Sequence, residues 1–147
     1  MKCFFFILLF SSCAGYTSMK NRPFSYNLGG SKDIIFAIPS GYVKEQVKVN
    51  PNGGVEQFYQ YNHGAYLYLS HATEWNSLNQ KFITVESKPV EVKDGEFMFS
   101  GIDESGLYWK EVRVDSLKWG YSFVPVNLLP LFDLSINTIR IKNKKRN

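Results

Sequence analysis

The side chains that could do chemistry are few and scattered along this chain. Its only histidines are His63 and His71. A transition-metal site needs at least three converging histidine, cysteine or carboxylate ligands, and two histidines with isolated glutamates nearby do not supply that pattern. The sequence contains no Gly-x-Ser-x-Gly motif that would indicate a serine nucleophile. It therefore predicts no metal site and no cofactor, and it indicates no catalytic residue.

Two pairs of carboxylates have the residue types that glycoside hydrolysis uses as acid and base. Asp103 and Glu104 are adjacent in a predicted turn, where charged side chains are expected in any case. Glu111 and Asp115 share one face of a predicted strand with Arg113, and this spacing favours ion pairs at the surface. A small envelope hydrolase stays an alternative on these residues.

Cys13 follows a short apolar leader. Lys2 lies beside the amino terminus, an apolar run covers residues 4–10, and Ser11 and Ser12 precede the cysteine. A basic start, an apolar centre and a small-residue end are typical of a signal peptide. The run is much shorter than the roughly 20 residues that a membrane-spanning helix needs. We therefore predict that residues 1–12 are a signal peptide that is removed.

The residues before Cys13 resemble a lipobox, the cleavage motif of bacterial lipoproteins: Leu9-Phe10-Ser11-Ser12-Cys13. The motif usually has Leu, Val or Ile three residues before the cysteine, where this chain has Phe10. The resemblance implies cleavage before Cys13, diacylation of its sulfur and anchoring in a membrane. Ala14, in place of Asp, resembles a signal for sorting to the outer membrane, facing the periplasm or the cell surface. An ordinary secretory signal that is cut after Ala14 is the alternative.

The chain divides into four predicted parts: the signal peptide, a lipidated tether at residues 13–30, one β-rich domain at residues 31–142 and a basic tail at residues 143–147. Residues 14–30 show no strand or helix periodicity, which is typical of a tether. Cys3 and Cys13 are the only cysteines, so the domain must be held by its core rather than by disulfides. A net charge of +4 could indicate binding to nucleic acid, but an exported protein does not meet nucleic acid as its usual partner, so we predict none.

The domain shows the alternation and turn clusters of an antiparallel sheet. Strands are predicted at residues 32–38, 42–49, 55–61, 65–71, 82–85, 89–92, 96–102, 107–115 and 121–124. Asn62-His63-Gly64 predicts a hairpin turn, and residues 116–120 are a predicted turn. Apolar spacing predicts a helix at residues 128–137, capped by Asn127, and a short edge strand follows at residues 138–142. The predicted fold is α+β, an antiparallel sheet with a C-terminal helix packed on one face; an all-β sandwich is the alternative.

The order of these elements resembles that of Mog1/PsbP-like domains. An apolar strand near the start of the predicted domain ends in a Pro-x-Gly-aromatic turn, and a helix comes near its end. The turn is Pro39-Ser40-Gly41-Tyr42. The resemblance implies a non-enzymatic accessory or binding module.

Tryptophans are the candidate contacts for a partner. Trp119 precedes Gly120 in a predicted turn, and Trp75 lies in the polar residues 72–81. Exposed rings at these positions can stack on sugars or anchor a protein. We therefore predict a membrane-anchored, non-catalytic binding or accessory module of the cell envelope, with an envelope protein or a glycan as its partner.

Overall fold

The structure, a computed structural model, describes residues 19–24, 32–49, 51, 53–71, 89–93 and 95–143. Cys13, Trp75, the predicted strand at residues 82–85 and residues 144–147 lie outside these ranges. In chain order the elements are β1 (Met19–Phe24), β2 (Lys32–Pro39), β3 (Tyr42–Val49), β4 (Val55–Tyr61), β5 (Tyr66–His71), β6 (Val90–Lys93), β7 (Glu96–Ile102), β8 (Tyr108–Val114), β9 (Leu117–Val124), a 3-10 turn (Val126–Leu128), α1 (Leu129–Asn137) and β10 (Arg140–Asn143).

A small sheet of three strands has β2 at its centre and β1 and β10 at its edges. β1 pairs antiparallel with β2, with Met19 opposite Pro39. The prediction of a tether without strand structure across residues 14–30 is therefore wrong for Met19–Phe24. This segment has no apolar alternation of its own, and backbone pairing with β2 makes it a strand. Pro23 is compatible with an edge position, where a missing N–H need not break the ladder.

The larger sheet has seven antiparallel strands in the order β3-β4-β5-β9-β8-β7-β6. Most neighbours are consecutive hairpins, and the pairing of β5 with β9 joins the two halves of the sheet. The predicted β4–β5 hairpin is confirmed. Its turn is closed by the Tyr61 amide, which donates to the Ala65 carbonyl at 2.9 Å, and by the Gly64 amide, which donates to the Tyr61 carbonyl at 3.0 Å.

β9 begins four residues before the predicted strand, so the predicted turn at residues 116–120 is wrong. β8 and β9 are joined by Asp115 and Ser116 alone. Asp115 has a φ of 51°, a left-handed conformation in which aspartate is enriched among non-glycine residues. Trp119 and Gly120 consequently lie inside a strand that is paired on both sides.

The helix forms nearly where the apolar spacing predicts it. Its N-cap is Leu128, without a side-chain hydrogen bond, so Asn127 does not cap it as predicted. Pro130 lies in the first turn, where the N–H that it lacks would have no helical partner. α1 packs against β2 and β9 through its buried residues Phe132, Ser135 and Ile136.

The seven-stranded sheet has two different faces because successive side chains of a strand alternate. Its core face packs against α1 and the small sheet, and the shared core is formed by Ile34, Phe36, Ile38, Tyr59, Tyr61, Ala65, Leu67, Leu69, Val112, Leu117, Trp119, Tyr121, Val124, Phe132 and Ile136. The opposite face, here called the charged face, carries Glu56, Tyr68, Glu111, Arg113 and Lys118.

The fold class agrees in part with the prediction. Every strand pair among the described residues is antiparallel, and the one α-helix among them packs on one face as expected. The second sheet brings the architecture close to the all-β alternative. That sheet could not be predicted, because it forms only when β1 and β10 pair with β2. The sequence of β1 has no alternation of apolar residues that would indicate a strand.

Candidate functional site

An apolar cavity of about 490 Å³ lies on the core face, beside the C-terminal end of α1. β6, β7, β8, β9, α1 and β10 all contribute to it. Its lining residues are Val92, Glu96, Met98, Val112, Val114, Trp119, Ile136, Asn137, Ile139 and Ile141. Glu96 is the only charged residue among these. Its volume is in the range of sites for small ligands, and most of the residues that line it have apolar side chains.

The cavity forms because α1 is shorter than the sheet that it covers. Alternation directs Met98, Val112 and Val114 to the core face of β7 and β8, while α1 ends at Asn137. Val92 and Ile141 are exposed at 55% and 42%, so apolar side chains also lie at the opening. The space beyond the helix end is consequently bounded by apolar side chains from the sheet, the helix and β10.

Trp119 lines this cavity instead of projecting from a turn. Its side chain is 6% exposed and belongs to the core, so the prediction of an exposed ring at position 119 is wrong. The physical reason is the early start of β9, which directs the indole to the core face. Its Nε1–H is buried and has no hydrogen-bond acceptor among the described residues. An unpaired buried donor destabilises a protein by about 1–3 kcal/mol.

A second cavity, of about 510 Å³, lies at the turn between β7 and β8. It combines two aromatic rings with carboxylates, and its lining residues are Gly101, Ile102, Asp103, Glu104, Ser105, Trp109 and Phe123. Asp103 Oδ1 accepts hydrogen bonds from the amides of Ser105 at 2.9 Å and Leu107 at 3.0 Å. Asp103 therefore stabilises its own turn, as is usual for aspartate at this position.

Phe123 is held in the left-handed backbone region at the edge of the second cavity, with a φ of 58°. Trp109 of β8 faces two residues of β9, Ser122 and Phe123, because the pairing shifts between Tyr108 and Lys110. This bulge redirects Phe123 toward the cavity. A bulky residue in this conformation costs about 1–3 kcal/mol, so the position of the ring depends on the surrounding structure.

The charged face carries a row of polar side chains that crosses four strands. Glu56 of β4 pairs with Ser70 of β5, Ser70 with Lys118 of β9, and Lys118 with Arg113 of β8. Glu111, one pleat away, is fully buried, and it accepts hydrogen bonds from Tyr68 Oη at 2.5 Å and Arg113 Nε at 2.7 Å. We call Glu56, Glu111, Arg113 and Lys118 the charge cluster.

Lys118, a member of the charge cluster, has a lowered pKa. The pKa of Lys118 is lowered to about 7: burial is the largest cause and Arg113 adds to it, while Glu111 and Glu56 act in the opposite direction. The predicted ion pair between Glu111 and Arg113 forms, but its placement at the surface is wrong for Glu111, which is fully buried while Arg113 stays partly exposed. Asp115 lies in the β8–β9 turn instead of beside Glu111 on the strand.

Tyr121 and Asp133 attach α1 to the sheet. Tyr121 Oη donates to Asp133 Oδ1 at 2.8 Å, and Lys110 Nζ pairs with the same oxygen. Burial and the hydrogen bond to Asp133 raise the pKa of Tyr121 above its usual range. These groups are engaged in holding the helix against β8 and β9.

The two histidines lie at opposite ends of the β4–β5 hairpin. His63 is in the turn, where its ring stacks on Tyr61 with centroids 6.1 Å apart, and His71 ends β5, 2.8 Å from the Ser116 hydroxyl. Partial burial lowers the pKa of both rings. In the part of the chain that the structure describes, no three His, Cys, Asp or Glu residues are grouped to hold a metal ion.

Sequence reasoning missed Tyr68, Gly120 and Lys118. A strand prediction that began at Leu117 would have aligned Lys118 with Arg113 and Glu111. Trp75 and the lipidation residue Cys13 lie outside the described residues. Among the described helices, none is long and apolar enough to span a membrane. No protein family, curated protein or solved structure matches this chain.

Proposed function

We propose that this chain is an exported lipoprotein, held on a membrane through Cys13, whose domain is a non-catalytic binding module of the cell envelope. The apolar cavity beside α1 carries the binding part of the proposal. It offers about 490 Å³ bounded by residues from six elements, and such concave apolar sites are where proteins bind small ligands. The occupant is an envelope component that inserts an apolar group beside Trp119.

The arrangement of titratable groups supports binding rather than catalysis. Acid–base catalysis needs groups within hydrogen-bond reach of a reacting substrate. In the apolar cavity Glu96 is the only such group in the lining. Glu111, which is fully buried, is bound by Tyr68 and Arg113. Its interactions are those of a structural network within the sheet.

A photo-crosslinking experiment in native membranes tests the binding module. A benzophenone amino acid is placed at Val92, which lines the cavity and is 55% exposed, or at the control position Val47, an edge-strand valine that is 59% exposed. We expect an adduct of defined mass from Val92 and none from Val47. Equal adducts from both positions, or none from Val92, would contradict a ligand site at the cavity.

A separate experiment tests the membrane anchor. We expect the chain to fractionate with membranes and its mature form to begin at an acylated Cys13, whereas Cys13→Ser should leave the membrane fraction. Intact-mass spectrometry identifies both the first residue and the lipid. A mature chain that begins at Gly15 without added lipid mass would show that an ordinary signal peptidase removes Cys13.

A glycan is the second candidate ligand, and the second cavity favours it. Trp109 and Phe123 provide aromatic surface, while Asp103 and Glu104 provide carboxylates that accept hydrogen bonds from sugar hydroxyls. Co-sedimentation with insoluble peptidoglycan tests this alternative. Loss of co-sedimentation in Phe123→Ala, but not in the distant Phe58→Leu, would place a glycan site here. Failure of the unmodified chain to sediment would exclude peptidoglycan as the ligand.

A further inference from the structure

We infer that the apolar cavity selects an uncharged amphiphile: a hydrocarbon chain that carries a neutral oxygen acceptor, of the ester or amide carbonyl type. The inference rests on the proposed function, because it names the class of ligand for the same cavity. Three features of the lining carry it: the apolar walls, the unpaired indole N–H and the position of negative charge.

The walls specify the hydrocarbon part of the ligand. Side chains from four strands of the larger sheet, from α1 and from β10 line the cavity, and eight of its ten lining residues are Val, Met, Trp or Ile. Each methylene that moves from water into such a site contributes roughly 0.8 kcal/mol to binding. A chain of about ten carbons therefore provides enough apolar surface for measurable affinity.

The indole of Trp119 specifies the oxygen acceptor. Its Nε1–H is buried, and no acceptor in the described part of the chain satisfies it. The side chain is 6% exposed and lines the cavity, so a ligand that enters contacts this ring. Because the nitrogen itself is buried, the ring has to turn to present its N–H to the cavity, and a ligand carbonyl can then accept the hydrogen bond that the described part of the protein leaves unmade.

Negative charge in the lining opposes an anionic head group. Glu96 is the only charged lining residue, and Asn137 is the last residue of α1. The C-terminus of a helix carries partial negative charge on its unpaired carbonyls. Glu96 and the helix end therefore both oppose a carboxylate, so a free fatty acid is disfavoured relative to its neutral ester with the same chain.

Calorimetry with two chain-matched probes tests the inference. The protein is the full-length Cys13→Ser chain, which changes none of the described residues and removes the proposed site of lipidation. The probes are glyceryl monodecanoate, which is neutral, and decanoate, which is anionic, both below their aggregation concentrations at pH 7.5. We expect the ester to bind roughly tenfold more tightly or better, and Val92→Trp at the opening to weaken both probes.

Two variants identify the residues responsible. Glu96→Gln should strengthen decanoate binding and so reduce the difference in affinity between the ester and decanoate. The matched control Glu91→Gln, on β6 but not in the lining, should leave that difference unchanged. Trp119→Phe should weaken the ester roughly three- to tenfold, the value of one net hydrogen bond. Its effect on decane, which has no acceptor, should be smaller, and this comparison separates loss of the N–H from altered packing.

Other results would overturn the ligand class, and a separate experiment decides whether the proposed function fails with it. The ligand class would be overturned if decanoate bound as tightly as the ester, or if Glu91→Gln reduced the difference in affinity as much as Glu96→Gln does. Either result would still be consistent with a binding site in the cavity. Failure of both probes would also overturn the ligand class. Whether the proposed function then fails is decided by the crosslinking from Val92 in native membranes, which presupposes no ligand.

Discussion

Tyr68 reaches Glu111 across an intervening strand. Tyr68 on β5 pairs with Gly120 on β9, Gly120 pairs with Glu111 on β8, and Tyr68 Oη donates to Glu111 Oε2 at 2.5 Å above the glycine. Side chains two strands apart in a sheet are normally separated by the side chain between them. The absence of a side chain at Gly120 is thus what permits this contact, and it explains a glycine inside a central strand.

Removing the Tyr68 hydroxyl should destabilise the domain. Tyr68→Phe leaves the fully buried Glu111 with one fewer donor, and hydrogen bonds to charged groups contribute about 1.5–3 kcal/mol. Urea unfolding should show a loss in that range. The matched control is Tyr42→Phe, whose hydroxyl makes a 3.4 Å exposed contact with Glu45; its loss should stay below about 0.5 kcal/mol. Equal losses for the two variants would contradict the structural importance of the Tyr68 contact.

Gly120→Ala should be more destabilising still. A Cβ at this position would lie 2.1 Å from the carbonyl oxygen of Lys110 and 2.7 Å from Tyr68 Oη. The first neighbour is backbone of a paired strand, so the sheet itself must move. We expect a loss of about 3 kcal/mol or more in urea unfolding, at the upper end of overpacking effects.

Gly53→Ala is the control for the loss of a glycine. Gly53 has a φ of +80°, and an added Cβ would meet nothing within 4 Å. That substitution should cost only the left-handed backbone term, about 1–2 kcal/mol. If Gly120→Ala costs no more than Gly53→Ala, the crowding around Gly120 is not a determinant of stability.

Much of the sheet could be predicted because its strands carry their own patterns. β2, β3, β4, β5, β7 and β8 lie close to their predicted positions, since each has apolar alternation and is bounded by turn residues. The alternation of β8 also placed Trp109, Glu111 and Arg113 on one face. Local patterns therefore determine both the existence of these strands and which side chains share a face.

The site could not be predicted, because it depends on pairing between distant segments. Gly120 suggested a turn, whereas its function is to admit Tyr68 from β5, more than fifty positions earlier in the chain. The predicted turn led to the prediction that Trp119 is exposed, whereas this residue lines the apolar cavity. Burial of Glu111 likewise follows from neighbours on other strands, and no feature of β8 alone distinguishes it from a surface glutamate.

Lys118 should make stability depend on pH above neutrality. Burial lowers the pKa of Lys118 to about 7, whereas an unfolded lysine titrates near 10.4. Between these values the unfolded chain binds a proton that the folded chain lacks. The free energy of unfolding therefore increases as pH rises from about 7 toward 10, and it decreases again when pH is lowered over the same range. Urea midpoints at pH 7, 8 and 9.5 measure the trend.

The pH effect is assigned by comparing two lysine variants. Lys118→Met should remove this increase, so the difference in free energy of unfolding between it and the unmodified chain should change with pH. Lys44→Met, at an exposed position on β3, should show a pH-independent difference. A parallel pH response in the unmodified chain and in Lys118→Met would mean that Lys118 titrates alike in the folded and unfolded chains.

The strained backbone at Phe123 should invert the usual preference for alanine over glycine in a strand. Both Phe123→Gly and Phe123→Ala lose the ring contact with Tyr66, whose centroid lies 6.5 Å away, so their difference reports the backbone. Glycine adopts a φ of 58° without strain, and we expect Phe123→Gly to be more stable than Phe123→Ala by about 1 kcal/mol in urea unfolding.

At the exposed strand residue Ser100 the same pair of substitutions should show the ordinary order, with alanine more stable than glycine by about 0.5–1 kcal/mol. An alanine variant at position 123 that is as stable as the glycine variant would mean that the bulge relaxes once the ring is gone, and that packing of the aromatic side chain imposes the left-handed conformation.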